Sequence, residues 1–176
     1  MRFLIELIIR MLLEMFMKWS YWISREKEEI LGSDVPELSF TDIHTYAIEL
    51  TKEWKYNTDP FFGVYNTIAS PEIAWKSIEG DCDDFASHLI YVSRNYEPLL
   101  LTYFTWDVRK AHTVMLIKRG DSFYTYNWNK LYEEPNFKMC LKRLEKYANS
   151  RIFSYHTAIY DYKKRRYISK RVSLKN

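Results

Sequence analysis

The hydrophobic pattern of this chain changes period at Pro98, and that switch limits the folds open to it. Before it, Ile43, Tyr46, Ala47, Leu50 and Trp54 recur at helical spacing, and Phe85, Ala86, Leu89, Ile90 and Val92 supply the buried faces of a second helix. After it, "LLLTYFTW", "HTVMLIKR" and "SFYTYNWN" are short, branched and aromatic runs separated by turn residues, which read as strands. A further helix near Phe137 to Tyr147 and one or two tyrosine-rich strands close the chain. Helices first and strands afterwards, over 176 residues of which 47% are hydrophobic, predict one α+β domain. Glycine occurs only four times while aromatics reach 18%, the composition of a packed body rather than a linker.

Two appendages flank it. Residues 1–36 form the first, opening with "MRFLIELIIRMLLEMFMKW", where Arg2, Glu6, Arg10, Glu14 and Lys18 alternate in sign every four residues. On a helix they make one salt-bridged stripe with apolar faces around it. Charges inside the span argue against a membrane crossing, and no small-residue cleavage site marks a secretory signal. An amphipathic helix packed on the body or on a second copy is expected, with contact to a membrane surface the next reading. The body, 37–176, ends in a basic tail in which Lys163, Lys164, Arg165, Arg166, Lys170, Arg171 and Lys175 meet no acid. The net charge of +3 is therefore local, and the tail reads as a solvated segment or edge strand rather than a nucleic-acid site.

Cap signals divide the helical half. Ser39 and Asp42 stand at capping-box spacing, Ser70 and Pro71 open a short helix with Gly80 as its stop, and "KYNTDPFFGVYN" reads as a loop. Asp81 and Asp84 form an acidic capping box, which leaves Cys82 in the first helical turn. Cys82 and Cys140 lie in no CxxC pair, so reduced thiols in a cytoplasm are expected, with no metal and no cofactor.

A cysteine attacks as thiolate, and three neighbouring carboxylates oppose its ionisation. The partial positive charge of a helix start and an imidazole from elsewhere would offset them if Asp81 and Asp84 cap the backbone and Asp83 turns to water. His88 falls on the wrong side of the helix, and His44 and His156 read as core or surface groups. His112 opens a predicted strand and so stands at a sheet end. A two-residue turn at Gly120-Asp121 then puts Asn127 and Asn129 on the His112 face, either of them able to orient the ring.

"GDCDDFA", then "AHTVMLI" about thirty residues on, then a strand ending "YNWN", resembles the transglutaminase-like superfamily with its papain-like fold, in particular the bacterial proteinase-like branch. The resemblance runs from Trp54 to Trp128. It implies a nucleophile at a helix N-terminus packed on an antiparallel sheet, with Cys82 as nucleophile, His112 as general base and acid, and Asn127 as the orienting residue, where many members carry Asp. It further implies a cysteine peptidase or amidase working through a thioester on a protein or peptide substrate. Amine transfer, as in a transglutaminase, and a silent fold used for binding stand as alternatives. A calcium site on Asp81, Asp83 and Asp84 is a weaker reading, since capping already employs such groups.

Overall fold

The computed structural model describes residues 37–57 and 68–172, which form an α+β fold around an antiparallel sheet. The helix expected within residues 1–36 and the loop around Asp59-Pro60 lie outside the described residues. Helix α1 (Phe40–Glu53) buries Ile43, Ala47 and Leu50, the expected stripe. Its Ser39 hydroxyl donates to the Asp42 carboxylate and caps no backbone N–H. Strand β1 (Lys55–Tyr56), read from sequence as loop, pairs in parallel with β2 (Glu79–Gly80).

Between those strands lies helix α2 (Pro71–Lys76), capped by Ser70, whose side chain accepts from the Ile73 N–H. Helix α2 ends at Lys76, so Gly80 is not its stop. Gly80 instead takes φ +139°, and a Cβ there would stand 2.3 Å from Asp84 Oδ2. Helix α3 (Cys82–Val92) follows with Asp81 as N-cap and the full capping box with Asp84. Phe85, Ala86, Leu89, Ile90 and Val92 are all buried, each large side chain contributing about 1.5–3 kcal/mol.

The main sheet has the order β6-β5-β4-β3-β7-β8 with every pair antiparallel. Its strands are β3 (Leu99–Thr105), β4 (His112–Arg119), β5 (Ser122–Asn127), β6 (Lys130–Glu134), β7 (Ile152–Asp161) and β8 (Arg166–Ser169). Arg119 pairs with Ser122 across Gly120-Asp121, the expected two-residue hairpin. Strand β5 stops at Asn127, because Trp128 adopts φ +53° and turns the chain with Asn129 into β6. The sequence pattern had carried that strand on to Asn129 and had no place for β6.

Side-chain alternation gives the sheet two covered faces. Leu100, Met115, Ile117, Tyr126 and Ala158 pack with α1 and α3, whereas Leu99, Leu101, Val114, Leu116 and Phe123 pack with α4 (Phe137–Ala148). Of the two readings of the basic segment, the edge strand is the one the structure shows. Lys163 to Arg166 form the turn and start of the β7–β8 hairpin, and β8 is an edge strand whose charge discourages pairing with other chains.

Candidate active site

One end of the sheet gathers the residues singled out from sequence. His112 opens β4 and Asn127 closes β5, so the antiparallel pairing brings both to the same end. His112 Nε2 donates to Asn127 Oδ1 over 2.9 Å. The bond assigns the tautomer, leaving the ring's lone pair on Nδ1. Asn127 is 1% exposed, while Asn129 lies exposed in the turn, so Asn127 is the orienting partner.

Aromatic rings fix the imidazole from three sides. Trp128 stacks at 6.3 Å and Tyr147 of α4 at 6.2 Å, and Tyr103, register partner of His112 on β3, meets it edge-on at 6.0 Å. Burial holds the His112 pKa below its ordinary 6.5, opposed in part by the Asn127 bond and the Asp81 charge. The ring is therefore neutral at pH 7.

Cys82 is the first residue of α3 and keeps partial exposure. Thr113, the residue after His112, lies near enough for its N–H and hydroxyl to favour the thiolate. Thr113 belongs to the α3 face of β4 and His112 to the α4 face, so the thiol and the imidazole stand on opposite faces at the same end of the strand. Asp81, one residue before the sulfur, lies near enough to act on His112, and Cys82 itself acts on Tyr103.

Electrostatics here depart from expectation. Asp81 caps the backbone, accepting from Asp83 N–H, and Asp84 accepts from Asp81 N–H and Ala69 N–H, as read from sequence. Asp83, expected to face water, is 1% exposed. Burial, then the Asp83 and Asp81 charges, push the Cys82 thiol well above its ordinary value, with Thr113 only partly offsetting them. The resting pair is thus thiol and imidazole, both neutral.

The remaining candidates separate cleanly. His88 is a core histidine between Tyr46 Oη at 2.7 Å and the Ala74 carbonyl at 2.8 Å, with Tyr46 stacked on the ring, Trp54 edge-on and Trp75 tilted against it. Cys140 is fully buried under α4, its thiol pushed up to about 11 by burial. Asp81, Cys82 and Asp83 bring one donor atom each within 4.8 Å of one another, short of the six to eight oxygens calcium takes.

Sequence reasoning missed Thr113, Tyr103, Trp128, Tyr56 and Tyr147. Thr113 was readable only once the helix was known to pack on the opposite face from His112. Tyr56, 64% exposed on β1, feels the Cys82, Asp81 and Asp83 charges and sits 6.0 Å from the Trp128 ring. Together with Tyr147, 43% exposed and stacked on His112, it leaves aromatic surface open beside the candidate residues. No family model, no curated protein and no solved structure matches this chain.

Proposed function

We propose that the protein is a cysteine-dependent acyl-transfer enzyme with a papain-like core, acting as a peptidase or amidase through Cys82, His112 and Asn127. The observation that carries this reading is the 2.9 Å bond from His112 Nε2 to Asn127 Oδ1, made one residue from Thr113, which acts on the helix-start thiol. A merely structural histidine needs no free Nδ1 at a sheet end.

With both groups neutral at rest, the thiol loses its proton as it attacks. The sulfur bonds to the substrate carbonyl carbon and the C=O π pair moves to oxygen as the oxyanion, while Nδ1 takes the thiol proton as general base. Asn127 holds the imidazolium by its oxygen, and the Asp81 charge stabilises it. The Asp81 side chain takes the N–H groups of Asp83 and Asp84, which leaves the Cys82 N–H as the first-turn donor outside the cap for the oxyanion. The C–N bond then breaks as His112 returns its proton to the departing amine, and water hydrolyses the thioester. An amine in place of water gives the transferase outcome. Tyr56 and Tyr147 suit apolar side chains on either side of the amide.

A silent binding module is the second reading, favoured by the raised thiol pKa. Acid-quenched mass spectrometry with p-nitrophenyl acetate decides between them. The enzyme reading expects an acetyl group on Cys82 formed about a hundredfold faster in wild type than in His112→Ala. Equal, slow acetylation in both would leave the binding reading.

A further inference from the structure

We propose that Glu72, Tyr160 and Tyr162 form a binding site for the ammonium head of a primary alkyl amine, separate from the Cys82 chemistry and independent of it. Glu72 stands in the first turn of α2 and is 7% exposed, yet its Oε2 has no partner among the described residues. Capping does not employ it, because the Ser70 hydroxyl takes the Ile73 N–H. The hydroxyls of Tyr160, itself 7% exposed, and Tyr162 are likewise sealed from water without a partner among the described residues. Burial, then the Glu72 charge, holds both phenols above their ordinary value, so the carboxylate and the two hydroxyls share one neighbourhood. The Tyr160 hydroxyl lies close to the Glu72 carboxylate and the Ser70 hydroxyl without closing a bond to either.

A buried carboxylate is costly unless a hydrogen bond or an opposite charge meets it. Arg94 is the cation whose charge reaches Tyr91 and Tyr162, but its guanidinium is bound to the Tyr91 carbonyl at 3.1 Å and to Glu37 at 3.2 Å. Water would satisfy the hydroxyls and leave the Glu72 charge unmet. A primary ammonium brings a positive charge and three N–H donors, which match Glu72 Oε2, Tyr160 Oη and Tyr162 Oη.

Aromatic surface adjoins these oxygens. Tyr162 meets Tyr160 edge-on at 4.9 Å and stacks against Tyr91 of α3 at 6.4 Å, and ring faces attract cations. Tyr160 and Tyr162 also line a cavity of about 310 Å³ whose apolar wall is Ile90, Pro98 and Ile159, which suits the alkyl stem. Of the charges at its margin, Lys170 is paired with Glu97 at 3.9 Å and Arg94 with Glu37. Tyr160 lies past Ala158, the partner of Leu100, whereas Tyr155 pairs with Tyr103 beside His112, so the site stands toward the other end of the sheet from the imidazole.

Isothermal titration of the full chain with n-butylammonium chloride tests the proposal, with n-butanol and potassium chloride as comparison solutes. Saturable heat with a Kd of about 1 mM is expected for n-butylammonium, and none for n-butanol. Glu72→Gln should weaken binding by about tenfold or more, and Tyr162→Phe, which keeps the ring and loses one acceptor, by about threefold or more. The thermal transition of each variant is recorded alongside, and where Glu72→Gln does not fold, Tyr162→Phe decides. No saturable heat in wild type, equal heats for amine and alcohol, displacement of the amine by equimolar potassium, or unchanged affinity in the folded variants would each overturn it.

Discussion

Asp84 lays its carboxylate over Gly80, filling the space where any other residue would carry Cβ. One oxygen accepts from Asp81 N–H and the other from Ala69 N–H, so the contact ties β2, α2 and the start of α3 into one unit beneath the thiol. Gly80→Ala must move that carboxylate and strain a left-handed backbone. A loss of about 2–3 kcal/mol is expected by chemical denaturation, with Cys82 acetylation slowed even where the fold is retained.

Asn127→Asp replaces a buried amide whose Nδ2 has no partner among the described residues with a carboxylate beside the imidazole. The negative charge raises the His112 pKa. The acid limb of the acetylation profile should move to higher pH, whereas Asn127→Ala should lower the rate across the profile by tenfold or more, on the order of other orienting residues.

Asp83 is the largest charge acting against the Cys82 thiolate. Asp83→Asn should bring the thiol pKa down, read as a lower midpoint in thiolate absorbance and in iodoacetamide labelling against pH. Cys140 is a poor internal standard for that labelling, since it is fully buried. An unmoved midpoint would mean that burial alone sets the thiol.

Stability should fall at both ends of the pH scale. His88 and His112 are held below 6.5, so the unfolded chain binds more protons as pH drops past that value and native stability is lost through the folded pKa values. Cys82 and Cys140 are pushed up, so the unfolded thiols ionise first and stability declines as pH rises above about 9. Thermal transitions between pH 5 and 10 should peak near neutrality, and a flat profile would contradict these burial assignments.

The caps at Ser70 and Asp81, the Gly120-Asp121 hairpin and the placing of Asn127 and Asn129 on the His112 face were legible because each depends on local chemistry or on the period-two alternation of strands, which does not by itself choose between the two asparagines. Strand β6 was hidden because Trp128 turns the chain with a positive φ that bulky residues rarely adopt, so nothing in "YNWN" announces a hairpin. The role of Asp83 was misread because its burial comes from packing of the whole helix start. The basic run left a solvated segment and an edge strand both open, because charge fits either, and pairing with β7 decides for the strand.

His112 and Asn127 hang from the α4 side of the sheet, while the sulfur arrives with the helices of the other side. On the proposed chemistry the reaction therefore needs both layers in place, and a substitution that shifts α3 against the strands would alter the approach of sulfur to ring while leaving the imidazole–amide bond intact.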